Sequence, residues 1–478
     1  MTPVDRREVQ EILRRVRQRY VGEEPSVPVP PAGVGEEGCG VFEAIDDAVK
    51  AARVAFESFR DLGLDARVRI IDAVREAMVR DARELAQMAH RETGLGRPED
   101  KEVKNLLVTR KTPGPEDLAP AARTGDRGMT ITEYAPFGVI AAITPTTNPT
   151  ATVINNSIAT ISAGNAVVFN AHPAAKACSA ETVHRINQAI AGAGGPLNLA
   201  CTVREPSIAS AQELMHHDGV RILLVTGGPG VVQEALKTDK RAITAGPGNP
   251  PVVVDETADV DRAAREIVRG ASFDNNMVCT DEKEVLVCAS RADELLRAFP
   301  RHRAVVLNEY QVSQIEKVVF EELGAPGKPG RINRRWVGKN AGTILREIGI
   351  EAGSEVRLAV APVPVEHPLV WTEQMMPVMP VARVSSFDEA VDVAVRAEHK
   401  FRHTASIYSN DVDHITRMAR ALDVSIFVAN AANIAGLGEG GEDFTSYSIA
   451  TPTGEGLTRP RTFSRIRRLT VAGSLRIV

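Results

Sequence analysis

Residues 220–236 read VRILLVTGGPGVVQEAL, a β-branched run, a glycine-rich turn and then a helical pattern. A buried strand that passes through a tight turn into a helix is the repeating unit of doubly wound α/β folds. The backbone N–H groups of such a turn and the dipole of the helix after it can face a phosphate. The pattern is equally typical of a tight turn that binds no ligand, so both interpretations stay open.

Strand and helix patterns alternate on both sides of this unit. Further strand patterns lie at 138–144, 166–169, 198–203 and 251–254, and a second set lies at 285–287, 305–307, 358–363 and 424–429. Alternation of this kind predicts parallel sheets covered by helices, here in two α/β domains. Residues 41–93 instead show helical periodicity, and Gly94 is placed to end the last helix as a C-cap.

The two ends of the chain have patterns of their own. Residues 3–20 place apolar side chains on one helical face, and the acidic residues among them argue against a transit peptide. The prolines within 21–37 exclude a helix and predict a linker, so we expect the first helix to dock onto another surface. Residues 469–472 and 475–478 are typical of strands, and an exposed edge there favours pairing with another subunit.

The composition excludes several classes of protein. Of the 478 residues, 43% are hydrophobic and 25% are charged, and the net charge is −5, which argues against disorder and against a surface that coats nucleic acid. No apolar run approaches the roughly 18 residues that span a bilayer, and no signal peptide follows Met1. The five cysteines lack a C-x-x-C pair, so a disulfide framework and a zinc site are not expected. We therefore expect a cytoplasmic protein without a nucleic-acid, membrane or metal partner.

Cys279 has the most unusual surroundings among the cysteines. It lies in a polar connection, 274–283, between a helical pattern and a strand pattern, where reactive groups are often displayed. It is a candidate nucleophile, and the alternative is an ordinary loop cysteine. His399 and His403 do not match the H-E-x-x-H zinc pattern, so we interpret them as surface or capping histidines. The G-x-G-x-x-G match at 436–441 is not followed by a helix and is interpreted as a flexible loop at a domain boundary.

Several segments, taken in order, resemble the aldehyde dehydrogenase superfamily from about residue 38 to the C-terminus. They are 135–140 (APFGVI), 144–149 (TPTTNP), 272–276 (SFDNN) with Cys279, and 373–377 (EQMMP). Others resemble its CoA-acylating branch of bacterial microcompartments, the propionaldehyde and acetaldehyde dehydrogenases. These are 92–97 (ETGLGR), 155–156 (NN), 171–176 (AHPAAK), 248–251 (GNPP) and 451–456 (TPTGEG).

The resemblance implies an aldehyde dehydrogenase-like α/β fold. It would contain a Rossmann-type doubly wound NAD-binding domain, a second α/β catalytic domain and a small β arm for oligomerisation into a homodimer or homotetramer. The implied boundaries are an amphipathic encapsulation helix at 1–20, a Pro-rich linker at 21–37, an NAD/CoA-binding domain at 38–117 and 138–246, the arm at 118–137 and 457–478, and the catalytic domain at 247–456.

The resemblance also implies the chemistry. Cys279 would be the nucleophile, and Asn148 would hold the oxyanion together with the backbone N–H of Cys279. Attack of the thiolate on an aldehyde gives a thiohemiacetal, and hydride transfer to NAD leaves a thioacyl enzyme. Hydrolytic members activate water with a glutamate at the position of Ala245. Without that base, we expect the thioester to resist hydrolysis until the thiolate of CoA attacks it.

The implied cofactor is NAD, with CoA sharing the nucleotide pocket as a substrate. Glu373, which could otherwise be a solvated loop carboxylate, would bind the nicotinamide ribose. Thr226, Gly227 and Gly228 would line the pyrophosphate pocket. Asn170 occupies the place of the superfamily's ribose-binding lysine. The remaining expected cofactor contacts are Thr144, Pro145, Thr146, His172, Pro173 and Gly246.

The leading hypothesis is a CoA-acylating aldehyde dehydrogenase that converts propanal or a similar aldehyde, NAD and CoA to acyl-CoA and NADH. It would work in the cytoplasm within a bacterial microcompartment, with residues 3–20 binding shell proteins or other cargo. For this segment, an interfacial membrane helix stays open. The alternatives for the whole chain are a hydrolysing or semialdehyde NAD(P)-dependent aldehyde dehydrogenase and a non-catalytic shell-assembly module.

Overall fold

The computed structural model describes residues 40–478. The helix expected at 3–20 and the linker expected at 21–37 lie outside the described residues. Among the helices from residue 40 onward, none is long and apolar enough to cross a membrane.

The helices and strands alternate through most of the described chain. The α-helices are Ile45–Arg60, Leu64–Thr93, Pro98–Lys111, Pro149–Ser162, Lys176–Gly192, Ile208–His216, Pro229–Leu236, Val260–Ala271, Ala289–Ala298, Glu309–Val319, Ala341–Arg346, Phe387–Ala397 and Val412–Leu422. The strands are β1 Val41–Phe42, β2 Ala121–Gly125, β3 Gly128–Pro136, β4 Val139–Thr144, β5 Ala166–Ala171, β6 Ala200–Val203, β7 Val220–Thr226, β8 Arg241–Ala245, β9 Pro251–Val254, β10 Glu284–Cys288, β11 Ala304–Val306, β12 Phe320–Glu322, β13 Arg331–Ile332, β14 Leu358–Val363, β15 Val378–Val384, β16 Thr404–Tyr408, β17 Ile426–Ala429, β18 Ile449–Ala450, β19 Gly456–Leu457 and β20 Ser464–Ala472.

Two parallel sheets form the centre of the fold. The first has the order β1-β6-β5-β4-β7-β8, and the second has the order β11-β14-β15-β10-β9-β16-β17. Strands β4 and β5 are buried at every residue, as expected for central parallel strands with both faces covered. The helix Pro149–Ser162 is buried along its whole length. The α/β fold predicted from the sequence is confirmed.

A third sheet is antiparallel and has the order β2-β3-β20. Ser464 pairs with Pro136 at one end of the β3–β20 ladder, and Ala472 pairs with Gly128 at the other. The strand β20 lies at an edge of this sheet, with Ile466 and Leu469 exposed. The arm predicted at 118–137 and 457–478 contains all three of these strands.

Several local predictions differ from the structure. The strand predicted at 475–478 is wrong, because β3 begins at Gly128 and offers no partner beyond Ala472. The helical region predicted from residue 41 begins with β1, since Val41 and Phe42 pair with β6. The predicted C-cap at Gly94 is confirmed by its φ of +65°. Strands β15 and β16 were not predicted, because their short sequences show no clear alternation of apolar and polar residues.

The buried amide of Asn165 joins three elements near the arm. Its Oδ1 accepts hydrogen bonds from the N–H groups of Phe137, at 2.7 Å, and Gly138, at 3.1 Å. Its Nδ2 donates to the carbonyls of Thr160, at 3.2 Å, and Phe463, at 2.9 Å. One side chain therefore fixes the start of β4, the end of the helix Pro149–Ser162 and the start of the β20 segment.

We predict that Asn165→Ala lowers the free energy of unfolding by about 2–5 kcal/mol, because it leaves several buried backbone groups unsatisfied. Thermal and urea unfolding followed by circular dichroism measure the change. Asn410→Ala is the matched control, since this exposed asparagine also bonds a carbonyl, that of Thr257 at 2.7 Å. We expect its effect to stay below about 1 kcal/mol. Equal losses in the two variants would contradict the assigned role of Asn165.

Candidate active site

The carboxyl ends of four parallel strands open onto one cavity of about 910 Å³. Thr144 ends β4, Ala171 ends β5, Thr226 ends β7 and Ala245 ends β8, and all of them line the cavity. Because β4 lies between β5 and β7, the chain crosses from one side of β4 to the other. Open α/β sheets bind their ligands at such crossover points.

The cavity brings together every residue that the sequence assigned to the site. The catalytic candidates Cys279 and Asn148 both line it. The cofactor candidates that line it are Thr144, Pro145, Thr146, Asn170, His172, Pro173, Thr226, Gly227, Gly228, Gly246 and Glu373. Cys279 and Glu373 come from connections of the second sheet, and the others come from the first. The cavity is therefore shared by the two sheets.

The Cys279 loop turns sharply where three successive residues, Asp274–Asn276, adopt left-handed backbone conformations. Asn and Asp tolerate positive φ better than other residues with a side chain. The Nδ2 of Asn276 donates to the carbonyls of Ala271, at 2.9 Å, and Glu282, at 2.8 Å. These bonds tie the two ends of the loop together and hold Cys279 between them.

The surroundings of Cys279 favour the protonated thiol. Burial raises the pKa of Cys279 to about 12, the charge of Glu373 adds to the increase, and Lys283 opposes it. Burial also raises the pKa of Glu373 itself. Because the thiolate is the nucleophile, the reactivity of Cys279 depends on how the site removes this proton.

Asn148 stands at the N-terminus of the helix Pro149–Ser162. Its Oδ1 accepts a hydrogen bond from Nζ of Lys104 at 2.6 Å, and its Nδ2 donates to Oγ1 of Thr147 at 3.1 Å. Within residues 40–478, no other group accepts from Nδ2, so one N–H of the amide is free to bind a ligand in the cavity. This arrangement fits the oxyanion-binding role expected for Asn148.

Two buried lysines behind Asn148 were missed by the sequence reasoning. Nζ of Lys101 lies 2.9 Å from Oδ2 of Asp274, and Nζ of Lys104 contacts the same oxygen. Both side chains are almost fully buried. The sequence offered one clue to their burial. Lys101 and Lys104 are three residues apart, so they lie on one face of the helix Pro98–Lys111, and that face also buries Val108.

Two helix N-termini line the cavity. The helix Pro229–Leu236 begins after Gly228, and the helix Ile208–His216 begins after Ser207, which forms a capping box with Ser210. A Cβ added at Gly228 would meet no atom within 4 Å, so this backbone is open to a ligand. Such a pair of N-termini fits the negative charge of a pyrophosphate.

Unpaired hydroxyl groups also point to a polar ligand. Oγ1 of Thr144, Oγ1 of Thr146 and the hydroxyl of Tyr447 are buried without a hydrogen-bond partner in the described chain from residue 40 to 478. All three residues line the cavity. Buried hydroxyls normally form hydrogen bonds, so these fit the polar groups of a dinucleotide such as NAD.

Asn170 and His172 support the wall of the cavity. Oδ1 of Asn170 accepts from Oγ of Ser210 at 2.6 Å, and its Nδ2 donates to the carbonyl of Ser207 at 3.3 Å. Nδ1 of His172 accepts from the N–H of Ala174 at 3.1 Å, which leaves Nε2 exposed. Asn170 therefore connects β5 to the N-terminus of the helix Ile208–His216, whereas His172 can offer a ring nitrogen to a ligand.

The position of Ala245 carries no proton acceptor. Ala245 is buried at the end of β8 and lines the cavity. Among the cavity-lining residues within 40–478, Glu234 and Glu373 are the carboxylates. Glu234 lies on the helix Pro229–Leu236, which begins after Gly228. The methyl side chain of Ala245 therefore cannot activate water for attack on a thioester.

Two motif predictions have different outcomes. His403 is fully buried, so its interpretation as a surface or capping histidine is wrong, and burial lowers its pKa to about 4. His399 is partly buried, and its Nε2 lies 2.9 Å from the carbonyl of Trp371. Residues 436–441 form the end of a 3-10 helix and a turn, not the start of an α-helix. The prediction that no helix follows this glycine pattern is confirmed.

A cluster of possible metal ligands lies apart from these residues. Side-chain ligand atoms of Asp255, Glu256 and His414 lie within 4.8 Å of one another. Asp255 already accepts hydrogen bonds from Ser409, at 2.5 Å, and Thr257, at 2.7 Å. None of the three members lines the cavity. These hydrogen bonds to Asp255 indicate that the cluster supports the structure of the second sheet.

The chain is similar to proteins of known activity over nearly its whole length. The model of the Aldehyde dehydrogenase family matches residues 38–306 and 355–442. The acetaldehyde dehydrogenase (acetylating) EutE of Salmonella typhimurium is 50% identical over 92% of this chain and 94% of its own. The propanal dehydrogenase (CoA-propanoylating) of the same organism is 40% identical over 98% of this chain and 99% of its own.

Solved structures give the same result. The propionaldehyde dehydrogenase of Rhodopseudomonas palustris, solved with bound CoA and an acylated cysteine, superimposes with a TM-score of 0.89 at 43% identity. A propionaldehyde dehydrogenase from the fucose utilisation bacterial microcompartment of Clostridium phytofermentans superimposes with a TM-score of 0.88 at 44% identity. Both matches cover 92% of this chain and 100% of the other.

We predict that alkylation of Cys279 by iodoacetamide accelerates about tenfold per pH unit between pH 7 and 10, because the thiolate fraction grows up to a pKa of about 12. Glu373→Gln removes a negative charge that raises this pKa. It should therefore increase the rate at each pH by up to about tenfold without changing the slope. Mass spectrometry of the Cys279 peptide measures the rate.

The matched control is Glu234→Gln, which removes the cavity's other carboxylate, one that does not contribute to the shift at Cys279. We expect it to leave the alkylation rate unchanged. A Glu373→Gln protein that reacts no faster than the unmodified chain would contradict the electrostatic account of Cys279.

Proposed function

The chain belongs to the aldehyde dehydrogenase family, and we propose that it is a CoA-acylating member, which converts a short-chain aldehyde, CoA and NAD to acyl-CoA and NADH. The observation that carries this proposal is the composition of the cavity. It holds Cys279 and Asn148 together, but it places Ala245 where hydrolytic members of the family have a glutamate. The substrates in the names of its relatives, acetaldehyde and propanal, are of this class.

The first half of the reaction depends on Cys279 and Asn148. The thiol of Cys279, which is partly exposed in the cavity, gives its proton to water, and its sulfur attacks the carbonyl carbon, so the carbonyl electron pair moves to oxygen. The free N–H of Asn148 and the backbone N–H of Cys279 hold this oxyanion. Bound in the cavity that Thr144, Gly228 and Glu373 line, NAD would supply the acceptor for the hydride of the same carbon. The carbonyl bond then re-forms and leaves an acyl thioester on Cys279.

The second half depends on what the cavity lacks. Ala245 offers no carboxylate to remove a proton from water, and the carboxylate near Cys279, that of Glu373, is assigned to the nicotinamide ribose. We therefore expect the thioester on Cys279 to persist until CoA arrives. The CoA thiolate attacks the acyl carbon, and Cys279 leaves as a thiolate. The same oxyanion-binding groups can serve this second tetrahedral intermediate, because it forms at the same carbon.

The surroundings of Cys279 suit a short alkyl chain. Met277 and Val278 precede Cys279, and Leu437 lines the same cavity. These side chains offer apolar contacts with no buried charge among them. A pocket of this kind separates aldehydes by size, with each methylene worth only about 1–3 kcal/mol.

We predict that the purified full-length chain forms NADH continuously from propanal or acetaldehyde only when CoA is present. Without CoA, it should produce a single burst of NADH close to one per active site, because the thioester resists water. Absorbance at 340 nm and mass spectrometry of the products measure both outcomes. Cys279→Ala should abolish the burst and the turnover. Continuous NADH formation without CoA, with the free acid as product, would establish the hydrolytic alternative.

We also propose that the enzyme forms a homodimer or homotetramer and works inside a bacterial microcompartment, to which residues 3–20 attach it by binding shell proteins or other cargo. The exposed edge strand β20, with Ile466 and Leu469, supports the assembly. The amphipathic pattern of residues 3–20 supports the packaging. One relative of known structure comes from a fucose utilisation microcompartment.

We predict that deletion of residues 1–20 leaves CoA-dependent activity in solution unchanged but prevents co-purification with co-expressed microcompartment shells. Leu13→Glu, on the apolar face, should have the same effect, because it places a charge on the docking surface. Arg15→Glu, on the polar face, is the matched control and should still be packaged. Packaging of the deleted protein would contradict the role of this segment.

A further inference from the structure

Lys104 has an unusual environment for a residue that does not touch the cavity. It is almost fully buried on the helix Pro98–Lys111, and it is not among the residues that line the cavity. Its Nζ lies 2.6 Å from Oδ1 of Asn148 and contacts Oδ2 of Asp274. A buried ammonium group is costly unless it is paired and hydrogen-bonded. Asn148 and Asp274 therefore stabilise the buried side chain of Lys104.

The contact with Lys104 fixes which way the Asn148 amide faces. Burial lowers the pKa of Lys104 to about 8, so below that pH it is an ammonium group, which donates hydrogen bonds but cannot accept them. The atom of Asn148 that faces Lys104 must then be the carbonyl oxygen. The Nδ2 atom then faces the opposite way, where Thr147 takes one N–H at 3.1 Å. The other N–H is left for the substrate oxygen. A rotated amide would place an oxygen there and repel the oxyanion.

Lys104 also connects Asn148 to the loop that carries Cys279. Asp274 lies in the left-handed turn of that loop, with φ of +45°. Its other oxygen, Oδ1, accepts from the N–H of Arg97 at 2.6 Å. Lys104 therefore contacts Asn148, the oxyanion donor that follows a strand of the first sheet, and Asp274, in the loop of the second sheet that carries Cys279.

Lys101 provides an internal comparison. It is equally buried on the same helix, and its Nζ bonds Oδ2 of the same Asp274 at 2.9 Å. Its other contact is the carbonyl of Thr147, at 3.4 Å. Lys101 does not contact the side chain of Asn148. The two lysines therefore share one carboxylate, and of the two Lys104 is the one that also contacts Asn148.

We propose that Lys104 is a positioning residue for thiohemiacetal formation. It orients the Asn148 amide so that its N–H binds the oxyanion, and it fixes the position of Asn148 relative to the Cys279 loop. This inference rests on the proposed dehydrogenase activity. Lys104 acts through Asn148 and does not itself contact the substrate. Its contribution should therefore disappear when Asn148 can no longer bind the oxyanion.

The test is a double-mutant cycle on the NADH burst, measured without CoA in a stopped-flow instrument. Lys104→Met keeps the length of the side chain but removes its charge and donors. We expect it to slow the burst at least about tenfold, as a small displacement of a reacting group can. In an Asn148→Ala background, the same change should slow the burst by less than about threefold, because coupled residues are not additive.

Lys101→Met is the matched control, since it removes an equally buried lysine from the same carboxylate. We expect its effect on the burst to be smaller than that of Lys104→Met and equal with and without Asn148→Ala. The Kd for NAD and the thermal midpoint are measured for every variant, and burst amplitudes are normalised to the fraction that binds NAD. Loss of folded protein would lower the amplitude, whereas loss of positioning lowers the rate constant.

Equal fold-losses for Lys104→Met in the two backgrounds, or a normal burst rate for Lys104→Met alone, would overturn the inference. A change confined to the Kd for NAD would also overturn it. The proposed function is judged separately, by the dependence of continuous turnover on CoA in the unmodified chain. The burst does not involve CoA, so the effect of Lys104→Met on the burst rate can be measured even if continuous turnover proves independent of CoA.

Discussion

The buried carboxylate of Asp274 connects the two halves of the catalytic machinery. It lies in the loop that carries Cys279, and it binds Lys101 and Lys104 of the helix Pro98–Lys111. Gly96, with φ of +69°, leaves room for it, since a Cβ there would lie 2.0 Å from Oδ1. A nucleophile from one sheet and an oxyanion donor from another can act together only if such contacts fix their separation.

The residues around Cys279 and Asn148 decide whether the acyl group is transferred to water or to CoA. Attack by Cys279 followed by loss of the hydride leaves a thioester, so the product depends on the second nucleophile. Ala245 places a methyl group in the cavity where a base would activate water. The open backbone at Gly228 and the unpaired hydroxyls of Thr144 and Thr146 suit polar, phosphate-bearing ligands instead.

Local pattern and resemblance together were sufficient for most of the site. The strand at 220–226 and its glycine turn follow from periodicity and turn chemistry, and Cys279, Asn148 and Glu373 follow from motifs. The lysines behind Asn148 were missed, because a charged residue on a helix is usually solvated and its burial depends on what packs against it. His403 was misjudged for the same reason, since no local feature shows that other elements cover it.

The sequence by itself determined the α/β class, the Cys279 nucleophile candidate and the family, because these depend on short-range periodicity and on motifs within single segments. The strand order and the shared cavity were decided by the tertiary structure. So were the pKa of Cys279 and the contact of Lys104 with Asn148 and Asp274. Lys104 and Asp274 are 170 residues apart in the chain. Burial and charge pairing arise only when distant segments meet, and no spacing within one segment encodes that meeting.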